Sequence, residues 1–169
     1  CRRRCTSTHT LRGSTLMTHT ITVASRLPAR MRVELESLLF FNARQHRVRE
    51  EIEQTIARFG APEIVDHDGW LRVRVAGLAE VQSLFAIHQE HGTVRPVGAV
   101  IYVRETFERI TVVHVGVADD YAVGGPHAAE RVLHRLMQEI RRVARRTAGI
   151  ERVELAYTNG RSRSRVATL

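Results

Sequence analysis

The stretch VGAVIYVRETFERITVVHVGV, residues 97–117, decides the fold of this chain. Residues 97–104 and 109–117 are rich in β-branched side chains, which favour strands. Only the four residues 105–108 separate the two segments, and so short a connection is typical of an antiparallel hairpin. The sequence therefore predicts two adjacent antiparallel strands.

A long amphipathic helix is predicted downstream, at residues 128–147. Its apolar side chains recur on one stripe, while most of its charged side chains lie on the opposite side. Gly149 follows as a C-terminal cap, and alternating apolar residues at 150–157 predict a strand after the helix. The predicted stripe consists of Ala129, Val132, Leu133, Leu136, Ile140, Val143 and Ala144.

The amino-terminal half predicts further strands and two helices. Residues 19–25 alternate as a strand does, and Pro28 lies where a first helix can begin. Residues 44–59 carry an apolar stripe at helical spacing, and a Gly-Ala-Pro sequence ends this second helix. Residues 70–75 read as a strand. Residues 81–89 fit a strand or a helix, and we favour the strand.

The basic residues exclude several chemistries. All 26 of them are arginine, so a Schiff-base lysine, a P-loop lysine and a lysine general base are excluded. The formal net charge is +8, but seven arginines lie outside residues 17–160, which leaves that segment at +1. A nucleic-acid-binding domain concentrates positive charge on its folded surface, so this balance argues against nucleic acid as the partner. Binding through the arginine-rich ends stays a lesser alternative.

We divide the chain into three parts. Residues 1–16 are interpreted as a non-domain or disordered extension, residues 17–160 as the domain, and residues 161–169 as a basic tail that continues a truncated domain. Cys1 and Cys5 have no partners at zinc-site spacing, so we expect no metal and a reduced, cytoplasmic setting. No apolar run approaches the roughly 18 residues of a membrane span, so no membrane partner is expected.

Two segments carry a family resemblance. VHVGVADDYAVGGPHAAERVLHRL, residues 113–136, joins a strand to an acidic-Tyr pair, a glycine-rich turn and the long helix. HGTVRPVGAVIYV, residues 91–103, leads from a polar turn into a strand marked by Val-Gly. These segments and the order of elements resemble the GNAT superfamily of acyl-CoA N-acyltransferases. The resemblance implies an α/β (α+β) fold in which helices flank a mixed, mostly antiparallel central sheet.

The resemblance also implies that acetyl-CoA or another acyl-CoA binds at the glycine-rich turn, with no metal. Backbone N–H groups at a helix amino end suit a pyrophosphate, because unsatisfied donors and the helix dipole favour an anion. Of the family pattern Q/R-x-x-G-x-G/A, Gly125 and Ala128 supply the small residues, with one extra residue between them. Ala122 replaces the leading Gln or Arg, and Pro126 lacks a donor. The implied cofactor-binding residues are Gly124, Gly125, His127, Ala128 and Ala129.

Catalytic and pantetheine-binding positions follow from the same resemblance. Backbone groups of the family's fourth strand accept the pantetheine arm, which by position implies Val115 and Val117. A Glu or His near that strand often acts as the general base, and His114 is the nearest candidate, with Glu108 farther back. Alternation predicts that His114 faces away from Val113 and Val115, toward substrate or solvent. A histidine pKa of about 6.5 suits amine deprotonation, although many strand histidines are surface or core residues.

The sequence hypothesis is an acyl-CoA-dependent N-acyltransferase, of the N-acetyltransferase type, in which an unidentified amine acceptor attacks the thioester directly. No serine or cysteine motif for an acyl-enzyme is visible. The partial glycine pattern keeps open an alternative, a catalytically inactive GNAT-fold module for interaction or regulation. Residues 154–169 end where the family continues into its last strands, so we expect a divergent member that lacks them. The sheet edge left exposed would favour a homodimer.

Overall fold

The computed structural model describes residues 20–40, 49–90, 92–156 and 165–168. Within these ranges the chain forms nine strands and three α-helices. The strands are β1 (Thr20–Ala24), β2 (Leu27–Pro28), β3 (Pro62–His67), β4 (Trp70–Val75), β5 (Gln82–Glu90), β6 (Thr93–Thr106), β7 (Arg109–Val117), β8 (Arg152–Leu155) and β9 (Arg165–Thr168). The helices are α1 (Arg32–Phe40), α2 (Arg49–Phe59) and α3 (Val132–Arg146).

Six strands form the central sheet, in the order β1-β5-β6-β7-β8-β9. Neighbouring strands are antiparallel except for β7 and β8, which are parallel because α3 makes the crossover between them. Helices α1 and α3 pack on opposite faces of this sheet. The predicted α/β (α+β) class, with helices flanking a mixed and mostly antiparallel central sheet, is confirmed.

The alternation of side chains along β6 explains the two-sided core. Ile101 and Val103 face the cluster that contains Leu35 and Leu39 of α1, whereas Val100 and Tyr102 belong to the cluster around α3. Successive residues of a strand point to opposite faces, so a continuous apolar strand is buried on both sides. The long β-branched run that predicted the hairpin is thus the central layer of the domain.

The predicted helix after the hairpin exists, but its predicted start at Ala128 is wrong. Residues Ala128–Glu130 form one turn of 3-10 helix, and α3 begins only at Val132. Between them Arg131 adopts a left-handed conformation with φ of 50°, which a continuous α-helix cannot include. The predicted stripe is also narrower than expected, since Leu133 is 48% exposed.

A second, three-stranded sheet was not predicted from the sequence. Its order is β2-β4-β3, and both neighbouring pairs are antiparallel. Strand β4 lies where the sequence predicted it, and the turn before it is closed by a hydrogen bond of 3.0 Å from the Gly69 N–H to Asp66 Oδ1. Strand β5 confirms the preferred interpretation of residues 81–89, whereas residues 44–48 of the second predicted helix lie outside the described residues.

Candidate functional site

A cavity of about 370 Å³ lies beside β7, on the α1 side of the central sheet. Helices α1 and α2 form much of its wall, and the segment after α2 and the end of β4 complete it. Ile52, Ile56 and Phe59, from the apolar stripe of α2, line this space, and Phe59 also belongs to the core on the α1 side. Its lining includes Leu39, Ile52, Ile56, Phe59, Val113 and His114.

A β-bulge in β7 brings His114 to the cavity. The pairing of β6 with β7 runs from Ile101 opposite His114 to Tyr102 opposite Val112, so Val113 is an extra residue. One extra residue breaks the alternation of side chains, and both Val113 and His114 therefore line the cavity. The predicted opposite orientation of these two side chains is wrong for this reason.

The imidazole of His114 is buried in apolar surroundings. Its residue is 8% exposed, and burial lowers the pKa of His114 below its ordinary value. A hydrogen bond with the Leu39 backbone partly opposes this shift by raising the pKa, as expected when the ring donates to a carbonyl. A neutral imidazole that donates from one nitrogen carries a lone pair on the other. A lowered pKa favours the uncharged form at neutral pH, so His114 is suited to accept a proton at the wall of an apolar cavity.

The lowered pKa of His114 predicts a pH-dependent stability. Between the folded-state pKa and the unfolded value of about 6.5, the unfolded chain binds more protons at this residue. The free energy of unfolding should therefore fall as the pH drops below about 6.5, by at most about 1.4 kcal/mol per pH unit from this group. Chemical denaturation at several pH values should show a weaker fall in His114→Gln than in the wild type. An equal fall of the free energy of unfolding with pH in the two proteins would contradict a buried, uncharged His114.

The bulge coincides with the end of the parallel ladder between β7 and β8. Paired residues run from Arg109 with Arg152 to Val112 with Leu155, and the Ala156 N–H donates to the Val112 carbonyl at 2.8 Å. Strand β7 continues for five residues beyond this register. The predicted pantetheine-binding residues, Val115 and Val117, lie in this continuation, and their side chains pack against the α3 cluster.

Most amides of the predicted pyrophosphate turn make hydrogen bonds within the turn. The Gly125 N–H donates to Ala122 O at 2.8 Å, and the His127 N–H donates to Asp120 O at 2.8 Å. The Ala128 N–H donates to Gly125 O at 3.2 Å. A Cβ on Gly125 would clash with the backbone oxygens of Asp119 and Asp120, so a glycine is required there by the turn itself. Sequence reasoning attributed this requirement to a bound phosphate.

Two other parts of the turn remain suited to an anion. Gly124 has φ of 85°, and a Cβ added to it would have no heavy atom within 4 Å, so a ligand can approach its backbone closely. At α3 the first bond of the helical type runs from the Arg135 N–H to Arg131 O, at 3.0 Å. The N–H groups of Val132, Leu133 and His134 precede it and have no carbonyl partner within the helix.

A cluster of rings packs the turn onto the sheet. The rings of His127 and Tyr121 stack with centroids 4.9 Å apart, and His88 of β5 lies 5.6 Å from Tyr121. The Arg95 guanidinium lies 5.5 Å from the Tyr121 centroid and 3.8 Å from Asp120 Oδ2. Sequence reasoning did not connect these residues, because their positions on three separate segments give no common spacing.

The described residues limit which other sites can be considered. Among them, no helix is long and apolar enough to cross a membrane, and no group of three or more His, Cys, Asp or Glu side chains could hold a metal ion. The cavity at His114 is the candidate site because it combines an apolar wall with a buried imidazole, and the turn before α3 is a second element. Comparisons with models of protein families, with curated proteins and with solved structures found no match to this chain.

Proposed function

We propose that this protein is an acyl-CoA-dependent N-acyltransferase, of the N-acetyltransferase type, that transfers its acyl group directly to an amine. The observation that carries the proposal is the position of His114, a buried imidazole at the wall of an apolar cavity, where burial lowers its pKa. An apolar cavity with one titratable group of perturbed pKa is an arrangement that suits a general base. The bulge that positions His114 is of a kind often found beside active sites.

In the proposed reaction His114 moves one proton. The amine nitrogen attacks the thioester carbonyl carbon, so that a C–N bond forms and the C–S bond breaks. His114 accepts the proton that the amine loses and returns it to the departing thiolate. The products are an amide and free CoA, and the imidazole ends the cycle uncharged. No covalent acyl-enzyme is required, because the cavity brings the reactants together.

The proposed acyl-CoA subsite follows β7 toward the amino end of α3. The backbone of Val115 and Val117 is proposed to bind the pantetheine arm, and the segment from Gly124 to Ala129 the pyrophosphate. The open space at Gly124 and the amino end of α3 support this subsite. The amides of Gly125, His127 and Ala128 are engaged within the turn, so the N–H groups at the start of α3 are the better donors.

The test is to incubate the chain with acetyl-CoA and a mixture of primary amines. Free thiol is measured by absorbance and new amides by mass spectrometry, with amine-free and protein-free controls. We expect thiol and amide in equal amounts and no acetylated peptide from the protein. Thiol release without an amide, or a stable acetyl-enzyme, would contradict direct transfer.

The hydrogen bonds inside the turn favour a second candidate, a non-catalytic module of similar fold. If the engaged amides leave too few donors for the pyrophosphate, the domain folds normally but does not bind acyl-CoA. This candidate predicts no thiol release and no change in thermal stability when acetyl-CoA is added. The two candidates therefore differ in one binding experiment.

A further inference from the structure

We infer that the cavity at His114 receives the apolar body of the acceptor, and that the acceptor is a small aromatic amine that enters uncharged. This inference rests on the proposed function and specifies its acceptor. It follows from the chemistry of the cavity wall, its charge, its aromatic side chains and its size.

The wall of the cavity offers little polar recognition. Apart from Gly60, the lining residues other than Thr55 and His114 are all apolar. The Thr55 hydroxyl donates to the Glu51 carbonyl at 2.8 Å, so it is engaged within α2. A polar acceptor such as a sugar amine would lose its hydrogen bonds to water on entering, with little to replace them. The hydrocarbon body of an aromatic amine has no such hydrogen bonds to lose and gains burial.

The described part of the wall also offers no countercharge for an ammonium group. None of the described residues that line the cavity is Asp or Glu. Burying a cation without a partner is costly, so a strongly basic alkylamine would have to lose its proton before it binds. An arylamine is uncharged at neutral pH and avoids this cost.

Two phenylalanines and the volume favour a single aromatic ring. Phe59 of α2 is 6% exposed and Phe40 of α1 is 38% exposed, and both line the cavity. Aromatic rings pack against one another more favourably than their contact area alone provides. A volume of about 370 Å³ lies at the small end of the range for small-molecule sites, about 300 to 1,000 Å³. A one-ring amine fits this space with its amino group directed toward His114.

The test compares two isomers, para-toluidine and benzylamine, which have the same atoms but differ in charge at pH 7. We measure kcat/KM for acetylation of each amine by the full chain, with acetyl-CoA at saturation. Benzylamine is the stronger nucleophile once deprotonated, so intrinsic reactivity opposes the expected preference. We expect para-toluidine to be favoured by about tenfold or more, a preference worth about 1.4 kcal/mol.

A pair of variants tests whether the cavity itself holds the amine. Both alanines are exposed, but Ala61 lines the cavity and Ala57 of α2 does not, so Ala61→Leu places a larger side chain in the wall and Ala57→Leu makes the same change outside it. We expect Ala61→Leu to lower kcat/KM for para-toluidine by about tenfold while acetyl-CoA affinity is unchanged, and Ala57→Leu to have no effect. Folding of both variants is checked by thermal unfolding.

The outcomes separate this inference from the function on which it rests. A preference for benzylamine with normal thiol release would overturn the aromatic acceptor and leave acyl transfer standing. So would an Ala61→Leu variant that shortens the accepted acyl chain, with hexanoyl-CoA lost and acetyl-CoA kept, since the cavity would then hold the acyl group. Absence of both acetyl-CoA binding and thiol release would overturn the proposed function itself.

Discussion

Replacing His114 with glutamine is expected to lower kcat for acyl transfer by about 10²- to 10⁴-fold, the usual contribution of a positioned general base. Glutamine keeps a similar size and can still donate to the Leu39 carbonyl, but it cannot accept a proton from the amine. Acetyl-CoA affinity should change little, because the proposed subsite for the nucleotide lies elsewhere. Steady-state thiol release measures kcat, and a separate binding titration measures the affinity for acetyl-CoA.

The pH dependence of the rate gives a second readout of the same change. Burial lowers the pKa of His114, so the wild-type kcat/KM should reach its maximum above about pH 6.5 and should fall in more acidic solution. The His114→Gln variant should lack that fall. His67→Gln is the control, because His67 is the exposed last residue of β3 and does not line the cavity. A His114→Gln protein with the wild-type rate and pH profile would remove His114 from the mechanism.

Shortening Leu136 to alanine is expected to lower the free energy of unfolding by about 2 to 5 kcal/mol. Leu136 of α3 is fully buried against the central sheet, so the change leaves a cavity that the surrounding side chains fill only in part. At about 2 to 4 °C per kcal/mol for a domain of this size, the Tm should fall by roughly 4 to 20 °C.

Leu133 of the same helix provides the matched control. It is 48% exposed, so Leu133→Ala should change the free energy of unfolding by no more than about 0.5 kcal/mol. Chemical denaturation measures the free energy of unfolding of both variants, and we expect their m values to match that of the wild type. Equal losses for the two leucines would mean that α3 does not pack on the sheet through the face described above.

The central elements could be predicted because their local signals agree with their tertiary environment. The β-branched runs of β6 and β7 are buried on both faces, and α3 has a single buried stripe. The small sheet gives a weaker signal. Strand β3 begins with a proline, and Ile64 is its one buried residue, so its sequence PEIVDH shows little alternation.

The candidate site was only partly predictable, because its geometry depends on pairing rather than on composition. The sequence around Val113 does not show whether β7 contains a bulge. The pairing of β7 with β6 makes Val113 an extra residue, so Val113 and His114 face the same side of the sheet. The stripe of Ile52, Ile56 and Phe59 on α2 likewise predicts an apolar neighbour without indicating whether the space is filled. Local hydrogen bonds, which no motif encodes, decide the conformation at Gly125.

Isothermal titration calorimetry of the full chain with acetyl-CoA tests the central claim most directly. We predict saturable binding at one site per chain, retained by His114→Gln, and weaker by about tenfold or more for S-acetylpantetheine, which lacks the pyrophosphate and nucleotide. Absence of saturable binding to the folded wild-type chain would contradict acyl-CoA-dependent transfer and favour the non-catalytic module.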